Sequence, residues 1–469
     1  MRKNNFASDP DFDSDFGTIA AISTALGEGG IAIIRISGSE AANIARKVLY
    51  DTRNFETPGL MKLTSLIEPD SCEVLDRVLC VRFKSPKSYT GEDIVEIHTH
   101  GGILLARTCL QIILRNGARI AEPGEFTRRA FLNGRIDLSE AEGVLGVIKS
   151  QSMESLRASA RTLTGGLSEI VREIYQEILR VQGNLEIALD FPEGVEFSGV
   201  DLREVFAIRA RLDDLRSRCS AGILLLNGVR VVIAGLPNAG KSSLMNALLR
   251  KHRAIVTEIP GTTRDVIEES VNFDGVPLRL TDTAGLRESG DLIEREGIEL
   301  AKNAIRESDI CLWVIDSSRG ITDYDVKFLR ENHEKNHGAN LIIILNKCDL
   351  QDKPEISELA SEFSDLRKIF ISAKTGAGLD DLKAAILEIS RGGSVLDFGL
   401  NASEKQMSYL DEAIELVNQI CGNDLSDPDV IAGLLNSARH CLMSMLGLEG
   451  FKNNEELLDS IFSRFCVGK

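Results

Sequence analysis

The chain has 469 residues, with 43% hydrophobic and 27% charged, an ordinary balance for a globular protein of about two to four domains. A formal net charge of −17 argues against broad non-specific binding to nucleic acid, so an RNA substrate would need a local patch or a partner protein. No apolar run reaches the ~20 residues that span a bilayer, and the nine cysteines are scattered without a CxxC pair, which suits reduced thiols in the cytoplasm better than a disulfide scaffold or zinc module.

The polar, acidic residues 1–16 lack the apolar core of a secretion signal and read as a flexible leader. From 17 to 134, short β-branched runs (Ile31 to Ile36, Val78 to Phe83, Ile94 to Ile97) alternate with helix-like stretches, which predicts an α/β domain. Residues two apart in a strand share a face, so Ile94, Glu96, His98 and His100 align and suggest a polar pocket. A metal reading of His98 and His100 is weak because no further ligand cluster is evident. From 135 to 225 the period becomes helical: Leu167, Ile170, Ile174, Ile178, Val181 and Leu185 make one apolar stripe, ended before Pro192, and Val205, Ile208, Leu212 and Leu215 make another. Strands and helices alternate over 226–390, and the helical period returns over 391–469 in Met407, Leu410, Ile414 and Val417, then Leu434, Ala438 and Leu442. The expected fold is therefore multidomain α/β plus all-α, with a nucleotide domain inserted between two halves of a helical domain.

That inserted segment carries the clearest chemistry. A strand ending at Ala234 leads into GLPNAGKS (235–242) and a helix, a P-loop in its required context. Backbone N–H groups of Asn238, Ala239 and Gly240 curl around phosphates, Lys241 supplies charge, and Ser242, followed by Ser243, ligates Mg²⁺. Asp282-Thr283-Ala284-Gly285 follows a strand and supplies the acidic group of the magnesium shell. Asn346-Lys347-Cys348-Asp349 follows another. The Asp349 carboxylate can accept both N1–H and the 2-amino group of guanine, a donor pair adenine lacks, and Ser372-Ala373-Lys374 completes the base loop. The switch segment lies between P-loop and DTAG, and Thr263 is its natural magnesium threonine. Leu286 stands where Ras-type proteins carry the water-orienting glutamine, so hydrolysis needs another group.

These motifs in this order resemble Ras-like G domains of the translation-factor class. Together with GEGGIAIIRISG (27–38), SYTGEDIVEIHTHGG (88–102), EPGEFTRRAFLNGRIDLSEAE (122–142), PGTTRD, DTAGLRE and the terminal FCVGK, the chain resembles the MnmE family of bacterial tRNA-modification GTPases. The resemblance implies an N-terminal folate-binding domain that dimerises, a helical domain, and an inserted G domain. It implies a homodimer that joins the flavoprotein MnmG in a heterotetramer. That assembly adds a carboxymethylaminomethyl or aminomethyl group to wobble uridine of tRNA. A tetrahydrofolate derivative supplies the one-carbon unit, and FAD and NADH act through the partner. It also implies that K⁺ replaces an arginine finger, with Asn238, Thr257, Ile259 and Thr262 as ligands, and that Glu294 orients the water. Arg287 is read as a structural switch residue instead. Folate contacts fall on Arg35, Glu96 and Arg135, the last usually lysine in the family, with Lys469 at the tail. Cys466 is the cysteine the family needs for modification. Read from the residues alone, the tail from Ile461 to Lys469 is too apolar to fray and should dock. The alternative reading is a ribosome- or RNA-assembly GTPase switch; such proteins lack the HGG segment and the terminal CVGK.

Overall fold

The computed structural model describes residues 17–51, 57–190, 202–252, 268–282, 304–306, 308–333, 340–350, 363–391, 399–422, 427–449 and 455–469. The chain divides into two compact units. One comprises residues 1–145, 163–209 and 404–469, the other 146–162 and 210–403.

The first unit contains a six-stranded sheet of β1 (Ile19–Ile22), β2 (Gly29–Ser37), β3 (Lys62–Ile67), β4 (Val74–Phe83), β5 (Ile94–Gly101) and β6 (Arg119–Ile120), in the order β3-β4-β5-β2-β1-β6. All neighbours are antiparallel except β1 with β6. Strand alternation sorts its side chains. Ala20, Ile34, Ile36, Val95 and Ile97 pack under helices α1 (Ala41–Val48) and α2 (Ile103–Arg115), through Ile44, Val48, Cys109, Ile112 and Ile113. The opposite parity turns Ile19, Ala21, Arg35, Glu96 and His98 to the other face, where Ile19 and Ala21 meet Phe126 of α3 (Glu125–Leu132). The sequence predicted the cores of β2, β4 and β5, whereas the short β1, β3 and β6 carry too little pattern to be read alone.

The α-helical part comprises α4 (Leu138–Lys149), α5 (Met153–Leu163), α6 (Gly166–Asp190) and α7 (Leu202–Asn227). Two of these begin in reciprocal capping boxes, Asp137 with Glu140 and Ser152 with Ser155, each exchanging backbone N–H to side-chain oxygen bonds of 2.8–3.0 Å. The predicted stripe on α6 is buried at Leu167, Ile174, Ile178, Val181 and Leu185, with Val171 deeper than Ile170. Further along the chain, Leu435 rather than Leu434 is buried with Ala438 and Leu442, one residue from the predicted line.

The second unit holds the other sheet. β7 (Val229–Gly235), β8 (Glu268–Phe273), β9 (Val276–Asp282), β10 (Ile310–Asp316), β11 (Asn340–Asn346) and β12 (Arg367–Phe370) lie in the order β12-β11-β10-β7-β9-β8. Only the β8–β9 hairpin is antiparallel. Strand β10 is buried along its whole length, as expected for a central parallel strand covered on both faces. Helices α8 (Lys241–His252), α9 (Asp323–His333) and α10 (Leu379–Arg391) belong to this unit. Helices α11 (Glu404–Gly422), α12 (Pro428–Met445) and α13 (Glu455–Phe462) belong to the first unit, whereas most of α5 and of α7 falls in the second. The fold is thus α/β with an all-α part and a P-loop sheet, as the sequence predicted.

Candidate functional site

Ligands of open parallel sheets bind beyond the carboxyl ends of the strands, and every described nucleotide motif falls there. β7 ends at Gly235, β9 at Asp282, β10 at Asp316 and β11 at Asn346. Of these, Asn346 lines a cavity of about 930 Å³, with Gly240, Ser243, Asn246, Lys347, Asp349 and Lys374 among its other lining residues.

The phosphate loop is built by close approach. Gly240 has φ +96°, and a Cβ there would lie 2.2 Å from Asn346 Nδ2, so only glycine lets the loop reach the base loop. Lys241 is nearly buried; its Nζ donates to the carbonyls of Gly235 (3.1 Å) and Leu236 (2.9 Å). Those backbone acceptors hold the ammonium at the mouth of the helix, where a phosphate oxygen is the stronger partner. Ser242 Oγ donates to Asp282 Oδ2 at 2.8 Å. A hydroxyl and a carboxylate side by side at the start of α8 are the hard oxygen donors that Mg²⁺ prefers, so these residues fit that ion.

The base loop is locked onto the phosphate loop. Asn346 Nδ2 donates to the Ala239 carbonyl (2.9 Å), and its Oδ1 accepts from Ala373 N–H (3.0 Å). Lys347 Nζ donates to the Asn238 carbonyl at 2.9 Å and to Asp316 Oδ2 at 2.6 Å. Asp349 is exposed, and the Ser372 hydroxyl, followed by its own backbone and the charges of Lys374 and Lys347, holds its carboxyl below the usual range. It therefore stays ionised and available as an acceptor for a base. The structure thus brings together Asn238, Ala239, Gly240, Lys241, Ser242, Ser243, Asp282, Asn346, Lys347, Asp349, Ser372, Ala373 and Lys374. The positions Thr257, Ile259, Thr262, Thr263, Thr283, Ala284, Gly285 and Glu294 lie outside the described residues. Sequence reasoning missed Asp316, which belongs to no motif; its signal was an acidic residue ending a wholly apolar strand.

In the first unit, Arg35 and Glu96 face each other in register across β2 and β5, with Nε to Oε1 at 2.8 Å. The Arg35 guanidinium also lies 5.6 Å from the ring centres of Tyr89 and Phe126. His98 Nε2 is 3.5 Å from Glu96 Oε2, while His100 turns to Asp76 at 2.7 Å. Among the described residues, no group of three or more His, Cys, Asp or Glu side chains could hold a metal. Arg135 is exposed, and its Cγ would be 3.2 Å from a Cβ on Gly91. A second buried network lies on α3, the helix whose Phe126 meets Arg35. Arg129 Nη1 donates to Glu92 (3.0 and 3.1 Å) and to the Gly17 carbonyl (3.0 Å), and Nη2 donates to Glu125 (2.9 Å). Burial would raise the Glu125 carboxyl, but the bonds from Arg119, the Glu122 backbone and Arg129 outweigh it and hold it below its ordinary value.

The C-terminal segment docks on this same unit. Phe462 and Phe465 are buried with Phe131, Leu138 and Leu458. Val467 pairs with Pro123, and Gly124 N–H donates to the Cys466 carbonyl at 3.4 Å. A Cβ on Gly468, at φ +93°, would lie 2.5 Å from the Ile22 carbonyl. Ile22 pairs with Ile34, the neighbour of Arg35 on β2. The tail thus packs against β1, whose neighbour β2 carries Arg35, with Cys466 exposed and Lys469 half-buried.

A parallel sheet, a P-loop opening its helix and a base loop tied to both define a P-loop protein of the G-domain type. Comparison with known proteins narrows this. The model described as "GTP-binding protein TrmE N-terminus" matches residues 18–135, and "MnmE helical domain" matches residues 138–466. The chain is 37% identical over 473 residues to "tRNA modification GTPase MnmE" of Acetivibrio thermocellus, covering 96% of this chain and 99% of that one. The proteins of the same name from Lactococcus lactis subsp. cremoris (strain MG1363) and Bacillus licheniformis are 40% and 37% identical. Those alignments cover 97% and 96% of this chain, and 99% and 100% of theirs. The chain belongs to the MnmE family.

Proposed function

We propose that this chain is an Mg²⁺- and K⁺-dependent GTPase whose hydrolysis is coupled to modification of tRNA. The observation that carries the reading is the base loop: Asn346 and Lys347 bind the backbone of the phosphate loop while Asp349 stays exposed at the cavity. A carboxylate so placed selects guanine, and Lys241 at the helix N-terminus suits its phosphates. Ser242 with Asp282 suits Mg²⁺. Asn238, Thr257, Ile259 and Thr262 are the proposed K⁺ ligands. Glu294 is the proposed water-orienting group, since Leu286 cannot play that part.

The modification is read as addition of a (carboxymethyl)aminomethyl group at C5 of the wobble uridine. A tetrahydrofolate derivative is held near Arg35, Glu96, Arg135 and Lys469, and Cys466 takes part in the chemistry. The flavoprotein MnmG brings FAD and NADH chemistry to a homodimer of this chain, in the cytoplasm. Support for a modifying enzyme over a bare switch comes from the docked tail. Two buried phenylalanines anchor the segment with the exposed thiol, which packs against Ile22 of β1, the strand beside the one that carries Arg35. No helix among the described residues is long and apolar enough to cross a membrane.

Two measurements test the reading. GTP hydrolysis should rise when NaCl is replaced by KCl, and equal rates in the two salts would remove the potassium mechanism. Mass spectrometry of tRNA nucleosides from cells lacking the protein should show loss of the modified wobble uridine. An unchanged nucleoside profile would return the chain to an RNA-assembly switch.

A further inference from the structure

We propose that Asp316 is a positioning residue for nucleotide binding, one that holds Lys347 across the phosphate loop so that base loop and phosphate loop act as one rigid receptor. The proposal rests on the reading of this cleft as a guanine-nucleotide site.

Strands β10 and β11 are parallel, and Asp316 is in register with Asn346. The residue that ends β10 therefore stands beside the residue that opens the base loop. Lys347 then turns with φ +67°, a conformation that L side chains rarely adopt. Something has to hold it there. Its Nζ donates to the Asn238 carbonyl at 2.9 Å and to Asp316 Oδ2 at 2.6 Å. The Asp316 side chain is itself fixed. Its Oδ1 accepts from Ser318 N–H (3.0 Å) and Ser318 Oγ (2.6 Å), and the residue is nearly buried. Between the two, Ser317 donates both its N–H (2.9 Å) and its hydroxyl (2.7 Å) to the Asn346 carbonyl. Each of three consecutive residues thus acts on the base loop, directly or through its neighbour.

Charge makes Asp316 the centre of this clamp. Burial would raise its carboxyl, but the bonds from Lys347 and Ser318 outweigh burial and hold it below the ordinary range. It is an anion at neutral pH, and an anion–ammonium bond is about twice as strong as a neutral one. The Asn238 carbonyl that shares the same ammonium belongs to the phosphate loop. Neutralising Asp316 therefore loosens the link between the loop that reads the base and the loop that holds the phosphates. The two halves of the nucleotide then lose their common frame, and affinity falls although neither the base nor the phosphates touch Asp316.

The test uses the full chain with Mg²⁺ and a fluorescent GDP. Asp316→Asn keeps the size of the side chain and should weaken binding at least tenfold. Lys347→Met keeps the stem and removes the ammonium. If Asp316 acts through Lys347, the double variant should bind within twofold of Lys347→Met alone, a non-additivity that a merely structural role would not produce. The only tryptophan, Trp313, lies three residues before Asp316 and is buried against Phe328, so its emission reports whether each variant is folded. Should Asp316→Asn not fold, Ser318→Ala removes one donor from the same carboxylate and should weaken binding about threefold. The proposal is overturned if the single variant binds GDP within twofold of the parent, or if the two losses multiply, or if the substitute Ser318→Ala leaves affinity unchanged. Failure of the parent chain itself to bind GDP would instead overturn the guanine-nucleotide reading.

Discussion

The nucleotide cleft and the Arg35 face solve the problem of polar groups in opposite ways. In the cleft, Lys241 is satisfied by backbone carbonyls of its own loop, and Asp349 stands exposed at a large cavity. Those partners are weak ones for charged groups, so an incoming phosphate and guanine improve on them. On the Arg35 face the charges satisfy one another. Arg35 is bonded to Glu96 and stacked near Tyr89 and Phe126, and Arg129 is saturated by Glu92, Glu125 and the Gly17 carbonyl. A ligand there competes with a pairing already made. The first site is a preformed receptor; the second is a folded network whose exposed edge a ligand has to share.

That contrast breaks most sharply at Gly240. Gly240→Ala places a methyl group against Asn346 Nδ2, with backbone at φ +96° that alanine resists. Overpacking of this kind costs ~1–3 kcal/mol, and here it falls on the contact that joins the two loops. Binding of fluorescent GDP should fall at least ~100-fold, about 2.7 kcal/mol at 1.36 kcal/mol per decade, while the first unit remains folded. Near-parental affinity would mean that the cleft is not preformed.

Cys466→Ser probes the other region with the cleft left intact. The replacement keeps nearly the volume of the side chain and leaves the Phe462 and Phe465 anchors in place. Modified uridine should disappear from tRNA in cells carrying only this variant, while GTP hydrolysis by the purified protein stays within twofold of the parent. Normal modified-uridine levels would sink the role of this thiol.

Glu294→Ala separates binding from hydrolysis within the nucleotide domain. If Glu294 orients the water, the rate should fall at least ~tenfold, about 1.4 kcal/mol in the barrier, with GDP affinity unchanged. A variant with full activity would remove the water-orienting role from this residue.

What was legible in the sequence follows the same divide. The nucleotide loops were readable because phosphate and guanine chemistry constrain residue type at fixed spacing, as in Gly240-Lys241-Ser242 and Asn346-Lys347-Cys348-Asp349. Period-two alternation placed Glu96 and His98 on one face, and the sheet agrees. The stripe on α6 was readable to within a residue, since Val171 and Ile170 both lie near the seam. An acidic residue ending an apolar strand marked the position of Asp316 but not its role, which depends on β10 and β11 lying side by side, and no local pattern encodes that pairing. The same holds for Arg129. No local pattern marks it for burial, yet the Gly17 carbonyl, Glu92 and Glu125 of its own helix all bond it in the interior.

The gentlest test asks how much of the Arg35 face is ligand site and how much is scaffold. Glu96→Gln keeps the shape and one acceptor but removes the charge that faces Arg35 at 2.8 Å. Both side chains remain about one-sixth exposed (17% and 16%), so solvent screens part of the loss. A charged hydrogen bond is worth ~1.5–3 kcal/mol when well made, and partial exposure brings the expected stability change to the lower end, about 1 kcal/mol. Arg35 keeps its contacts with Tyr89 and Phe126, which limits the damage. If a folate binds here as proposed, removing the carboxylate also takes away an acceptor for pterin N–H groups. Binding of a reduced folate, followed by calorimetry on the full chain, should weaken about fivefold, while thermal unfolding shifts by only a few degrees. A variant that loses stability but binds folate as before would make the Arg35–Glu96 pair pure scaffold. One that loses binding with no change in stability would show that the pair is held by the ligand's needs alone.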